Sequence, residues 1–369
     1  MPRFRFALLG LVLLVVQPLL ARTYYVGSCK TGAFSTIGAA VAAVPAGSTI
    51  DVCPGTYPEQ VVISQPLTLQ AVVSGGSSQA IIAMPASGLV TTTSVRFGTL
   101  AAQVEVTAGP VNITGITVDG TAISSNCPTV EDVGIFYGSG ASGTLNHVET
   151  RFQNCNSTGI GMYAENNSGS SASVTIENSN INYSSWTGIY VCAISPSTLN
   201  AAIKSNSLTA NSTFGIATDG NTTATVSDNV VDASGSISGI ILIMGSATVT
   251  GNTVIGGDSG IRPSTAGARV SGNTITGAIS GIWIDAASTV TSNHISNGSF
   301  GIGLAVPGAT VQGNVITQEQ QIGIDFQCVT GTVSGNTING AGIGFDEFPG
   351  TSTGTNKFYN VATLTNGCS

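Results

Sequence analysis

Asp285, Asp325 and Asp346 stand in a chain whose charged share is only 8%. Carboxylates held at a fixed separation are what acid–base cleavage of a glycosidic bond requires. Asp325 and Asp346 are the leading catalytic candidates, with Asp285 as a third. Tyr163, Tyr190 and Trp283 are large rings of the kind that stack on the C–H faces of sugars. Arg262 could orient an acidic or neutral saccharide through its guanidinium fork. The same arginine and aspartates also read as an exposed ion pair of small energetic weight. Other chemistries find less support. His147 and His294 are isolated from one another and from cysteine clusters, so no metal site is expected. No glycine-rich run joins a strand to a helix, which leaves nucleotide binding without a motif.

These residues can act together only if a repeating element brings them to one face. A Gly-Ile pair recurs at Gly134, Gly159, Gly188, Gly215, Gly239, Gly260, Gly281, Gly301, Gly323 and Gly342. Between the pairs runs a second pattern, apolar-x-x-Asn-x-apolar, which puts Asn206, Asn229, Asn252, Asn273, Asn293, Asn314 and Asn336 in one slot. Short runs with period-two alternation are strands, and three such strands with tight bends make one coil of roughly 20 residues. A single coil cannot bury its apolar side, so coils must stack, at about 4.8 Å per step. An asparagine repeated at a bend can bond backbone and the next asparagine along the stack. The expected fold is therefore all-β, a single-stranded right-handed parallel β-helix of ten or more coils. Phe34–Val44 has the spacing of a short amphipathic helix stopped by Pro45, suited to cap the first coil.

Counting outward from each Gly-Ile pair gives two columns of exposed side chains. Tyr190, Arg262, Trp283 and Asp325 fall in the first, and Tyr163, Asp285 and Asp346 in the second. Asp325 and Asp346 would then lie diagonally, roughly 8 Å apart from one ~4.8 Å stacking step and one ~6.6 Å strand step. That separation lies within the ~6.5–9.5 Å range of inverting glycosidases. The longer coils from Gly134 to Gly215 should carry loops on one side.

Residues 1–21 have a basic start at Arg3 and Arg5, an apolar stretch and Leu19-Leu20-Ala21 before a cut, the pattern of an export signal. Residues 22–369 then form the β-helix domain, with 22–50 as the N-terminal cap region and 349–369 as a tail. The protein is expected outside the cytoplasm, secreted or periplasmic, with no membrane attachment after cleavage. Seven cysteines suit that compartment. Cys29 could pair with Cys53 and Cys328 with Cys368, while Cys127, Cys155 and Cys192 leave one thiol over. A formal net charge of −8 without a basic patch argues against nucleic acid as a partner. Extracellular polysaccharide is the expected partner and a monomer the expected state.

The helix, Ile50-Asp51-Val52, Gly55-Thr56-Tyr57-Pro58-Glu59, Val61-Val62-Ile63 and Leu67-Thr68-Leu69 resemble the entry of pectin-lyase-like β-helices. The asparagine-bearing coils are similar to that superfamily's repeats. The resemblance covers nearly the whole chain after residue 21 and implies the fold; the superfamily spans lyases, hydrolases, esterases, epimerases and non-enzymes. The acids of polygalacturonases before the Gly-Ile position are absent here, with Asp132 and Asp258 only one residue further back. The pectin esterase elements and the Asp-Pro-His motif of alginate epimerases are absent too. A lyase or glycoside hydrolase is the remaining enzymatic expectation; no cofactor is implied, except calcium if the chain is a lyase. A non-catalytic scaffold or adhesin is the alternative. A smaller one is ice or crystal-surface binding by the hydroxyls around Thr248, Thr250, Thr289 and Thr291, interrupted at Arg269 and Gln312.

Overall fold

A computed structural model describes residues 22–72, 79–121, 127, 129–155, 158–349 and 354–368. The expected export signal, residues 1–21, lies outside them. The chain is an all-β parallel β-helix of about 14 turns with one short helix. It runs past the ten Gly-Ile marks because the third-sheet strands of the N-terminal coils, Val61–Ile63 and Gly98–Val106, lack that pair.

Each turn contributes one strand to each of three parallel sheets. In one coil these are Ser246–Thr250, Thr253–Ile255 and Ser259–Pro263, and the pattern repeats at Arg269–Ser271, Thr274–Thr276 and Ser280–Ile284. Register is kept from coil to coil. Val226, Val249, Val270, Val290, Val311 and Val333 form one interior file. Val231, Val254, Ile275, Ile295, Ile316 and Ile338 form the second. Ile240, Ile261, Ile282, Ile302 and Ile324 form the third. All are buried, so each β-branched side chain packs on an identical or near-identical neighbour above and below.

The bend between the first two sheets is held by the asparagines. Asn252 donates its backbone N–H and its Nδ2 to Oδ1 of Asn273, each at 2.9 Å, and its Nδ2 also reaches the Val226 carbonyl at 2.9 Å. Asn273 repeats this toward Asn293 and Val249. The ladder runs unbroken from Asn206 through Asn336 and ends on Asn356, one rung beyond the sequence pattern. Asn206 in turn accepts from the backbone of Ser179, which stands in the slot one coil earlier.

The recurring glycines begin the third-sheet strands, where the chain folds back against the second sheet. A Cβ on Gly281 would lie 2.2 Å from Ile295 Cγ2 and 2.7 Å from the Gly301 carbonyl oxygen. Close approach, not an unusual φ, demands the glycine there.

Both ends are closed. The helix Ile37–Ala43 is capped by Thr36, whose hydroxyl accepts from Ala39 N, and Glu59 accepts from Ile37 N and Gly38 N, both at 2.8 Å. Gln65 donates to the Val41 and Val44 carbonyls at the other end. Buried Ile37, Ala40 and Val41 close the first coil. At the far end Phe326, Phe345, Phe348 and Phe358 pack edge to face. Disulfides join Cys29–Cys53 and Cys328–Cys368 as expected, and Cys127–Cys155 leaves Cys192 as the buried free thiol.

Five carboxyls are buried among the described residues, and two of them, Glu319 and Asp132, are raised to about 7. Burial pushes Glu319 up to about 7, against a smaller pull from the Gly298 backbone. Burial also pushes Asp132 up to about 7, although its Oδ2 accepts from Cys155 N at 3.2 Å. The folded state therefore holds protons that the unfolded chain releases near pH 4. Stability is full below that pH and falls as pH rises through about 7. Glu319→Gln should flatten the decline in unfolding free energy between pH 5 and pH 8, measured by urea titration, by roughly 3 kcal/mol; an unchanged pH slope would contradict the burial reading. Asn273→Ala strands the Asn252 donors and should cost about 1–3 kcal/mol for each unpaired group, measured by equilibrium urea unfolding against Thr274→Ala as a surface control.

Candidate functional site

The outer face of the third sheet gathers the scarce charges and rings, but not in the expected register. The interior glycine file is Gly134, Gly161, Gly188 and onward, since Met162 pairs with Ile135 and Ile189. At the other end Phe345 pairs with Ile324, so Gly344 and not Gly342 continues the file. Equal spacing marks the true frame: 161 − 134 = 27 and 188 − 161 = 27, where the literal Gly-Ile pairs gave 25 and 29. One outward file is therefore Phe136, Tyr163, Tyr190, Ala217, Ile241 and Arg262, continuing to Trp283, Gly303, Asp325 and Asp346. The file two residues on contains Glu165, Cys192 and Asp219. Glu165 was missed at the sequence level because the frame slipped by two residues at Gly159.

The N-terminal half of this face is covered. Residues 84–97, from an earlier coil than those expected to carry loops, reach over it and return through the antiparallel pairing of Thr92–Ser94 with Gly98–Leu100. Tyr163 and Tyr190 are consequently 1% exposed, which corrects their assignment as open sugar-stacking platforms. Phe97 inserts between them and Trp186. Leu100, Val133, Phe136, Ile160 and Ile241 complete a second apolar cluster, outside the helix core. Burial holds both phenols protonated far above the usual tyrosine range, helped by the neighbouring acids Glu165 and Asp219. Tyr163 OH donates to Glu165 Oε2 at 2.6 Å, and Tyr190 OH donates to Asp219 Oδ2 at 2.6 Å. Burial likewise pushes the Cys192 thiol up to about 12, so it is no nucleophile at neutral pH.

The C-terminal half is open. Arg262 Nε donates to Asp285 Oδ2 at 2.6 Å, and Ser264 Oγ donates to the same oxygen at 2.9 Å. Arg262 and Asp285 side chains retain 37% and 24% exposure. The Trp283 ring lies over Gly303, where a Cβ would meet Cε3 at 2.3 Å. At the bend that leads into the third sheet, exposed Ile237, Asp258 and Ile279 line a shallow hollow of about 380 Å³.

Asp325 and Asp346 are direct register partners, not diagonal neighbours. Their backbones stand one stacking step apart, ~4.8 Å. That moves the pair away from the wide inverting separation and toward the ~5–5.5 Å of retaining enzymes. Asp325 is buried and Asp346 half-buried. Burial raises the Asp325 carboxyl, opposed by the Gln327 amide and reinforced by Glu347 and Asp346. Such a carboxyl is suited to donate a proton. Asp346 accepts from Asn366 Nδ2 at 2.6 Å. Asp285, expected as a third catalytic carboxylate, is engaged by Arg262 and Ser264 on one of its oxygens. Among the described residues no group of three or more His, Cys, Asp or Glu is arranged to hold a metal.

Over residues 200–307 the chain matches the family described as periplasmic copper-binding protein NosD. No curated protein matches it. Its fold is similar to the catalytic unit of a GH87 α-1,3-glucanase from Streptomyces thermodiastaticus, with TM-score 0.65 and 18% identity over 96% of this chain and 69% of that one. It is also similar to a GH136 lacto-N-biosidase from Eubacterium ramulus, with TM-score 0.54 and 11% identity over 93% and 68%. A mannuronan C-5 epimerase A-module from Azotobacter vinelandii gives TM-score 0.50 and 17% identity over 89% and 94%. At these identities the likeness is one of fold.

An ion pair this exposed contributes little to stability, so Arg262→Ala should shift unfolding by less than about 1 kcal/mol. A loss above about 2 kcal/mol in the same urea titration would show the pair to be part of the frame and unavailable to a ligand.

Proposed function

We propose that this chain is an exported protein that binds polysaccharide along the outer face of its third sheet. Arg262, Trp283, Asp285, Asp325 and Asp346 would make the contacts. The observation that carries the reading is the open half of that face. A half-exposed indole lies flat in the same file as the Arg262 guanidinium, which is paired with Asp285 of the neighbouring file, and as two register-paired aspartates. Flat rings beside hydrogen-bonding groups are what sugar faces and their hydroxyls need. The similar folds named as a glucanase, a lacto-N-biosidase and a mannuronan epimerase support a glycan as the ligand class. Export is supported by three disulfides and by the first 21 residues. No helix among the described residues is long and apolar enough to cross a membrane.

If the face is catalytic, raised Asp325 protonates the leaving oxygen while Asp346 serves as nucleophile or base, giving a glycoside hydrolase; the lyase reading uses the same face. A non-catalytic scaffold is the second reading. What favours it is that Asp285 and Asp346 are already engaged by protein donors.

Two measurements decide among these readings. Retention on a panel of acidic and neutral glycans should fall about 2- to 10-fold for Trp283→Ala; equal retention by wild type and variant on every glycan would remove the proposed face. Reducing or unsaturated ends released by wild type and lost in both Asp325→Ala and Asp346→Ala would establish catalysis. Release unaffected by either substitution would exclude this pair.

A further inference from the structure

The strap over the N-terminal half is built like a bound ligand. Phe97 sits in a cage of three rings, with centroids 5.2 Å from Tyr163, 5.4 Å from Trp186 and 5.4 Å from Tyr190, each edge to face. Beside it, Glu165 takes three donors from the strap: Ser94 Oγ at 2.6 Å, Val95 N at 3.1 Å and Arg96 N at 3.0 Å. Asp219 takes the Arg96 guanidinium at 3.0 Å, and Arg96 Nε reaches Tyr190 OH at 3.0 Å. Thus a ring and a cation carried by two successive residues fill an aromatic and anionic recess on the same face as the open half.

The outer side of the strap is exposed. Val90 and Val95 are 75% and 51% exposed, and the Arg96 side chain is 43% exposed although its partner Asp219 is 1% exposed. Away from the recess it is held by Gln60, which bonds both backbone groups of Val90, and by the antiparallel pairing of Thr92–Ser94 with Gly98–Leu100. Such a segment can lift without opening a coil, because no interior file passes through it.

Charge decides what could replace it. Glu165 and Asp219 lie in one file two stacking steps apart, about 10 Å; the Arg96 guanidinium is the cation that faces Asp219, while Glu165 is held by the uncharged donors Ser94 Oγ, Val95 N, Arg96 N and Tyr163 OH. A neutral occupant would leave the buried Asp219 carboxylate without a counter-charge, which is strongly disfavoured. A uronic acid polymer would be repelled outright. A sugar ring bearing a primary ammonium supplies what the strap supplies: an apolar face for the cage, a cation for Asp219 and hydroxyl donors for Glu165.

We infer that residues 94–97 are a built-in occupant of a glycan subsite, and that the ligand displacing them is a polymer of hexosamine with free amino groups. This rests on the reading of the third-sheet face as glycan-binding and extends it by naming the ligand class and the device that closes half the groove. No covalent step is involved.

The full-length exported protein is titrated with a fully deacetylated glucosamine hexamer and with its N-acetylated counterpart, in wild type, Arg96→Ala and Arg96→Ala/Asp219→Asn. Removing the competing cation should tighten the deacetylated hexamer by at least about tenfold, and Asp219→Asn should cancel that gain. The acetylated hexamer should gain nothing. Hydrogen exchange on the wild type gives a reading independent of variant folding: the Val95 and Arg96 amides, bonded to Glu165, should exchange faster when the deacetylated hexamer is bound. Unchanged or weaker binding by Arg96→Ala, an equal gain for the acetylated hexamer, or unchanged protection of those amides would overturn the inference. A protein that retains a neutral glycan through Trp283 yet shows none of these effects loses only the strap inference, whereas one that retains nothing loses the glycan reading as well.

Discussion

Everything in this molecule depends on rung-to-rung bonding. A coil of this kind cannot satisfy its own backbone or bury its own apolar side, so each turn is completed only by the turn above it. Along the sheets the strands do this themselves. At the first bend the backbone has no strand partner, and the asparagine supplies one. Its amide mimics a peptide, donating to a carbonyl behind it while its Oδ1 accepts the N–H of the preceding asparagine. The ladder fixes register as well as energy, because a slip of one residue would break every rung at once. Fixed register is what lets Arg262, Trp283, Asp325 and Asp346, spread over 85 residues of chain (346 − 262 + 1 = 85), stand in one file.

Much of this frame is legible in the amino-acid sequence because the physics repeats with it. An asparagine seven times in one slot can have few causes, and the aliphatic residues three before and two after it are the interior files themselves. Glycine is legible for a different reason: the collision of any Cβ with Ile295 and its counterparts leaves no other residue for the position. The same pattern misleads where it is read too literally. Gly159-Ile160 looks like a repeat mark, but Gly161-Met162 carries the interior contact, since methionine fills the isoleucine site. Following the letters instead of the equal 27-residue spacing displaced Tyr163, hid Glu165 and, by the same error at Gly342, put Asp346 on the wrong diagonal.

The strap was not legible at all. Residues 84–97 share no periodicity with the coils, and their placement follows from contacts with residues far along the chain, such as Arg96 with Tyr190 and Asp219. Buried acids are hidden for a related reason. Glu319 has the sequence surroundings of a surface residue, and only the narrow bend around Gly298 makes its carboxyl buried. Repetition reveals the scaffold, while the features that break repetition carry whatever is particular to this chain.

The central claim is that the open half of the third-sheet face is where a glycan lies. Its most direct test is the emission of Trp283, read in a Trp186→Phe background so that it is the chain's one indole. Titration with the glycan that is retained best should shift that emission to shorter wavelength and saturate at the affinity measured by retention. Emission that stays constant through saturation would place the glycan elsewhere and contradict the account.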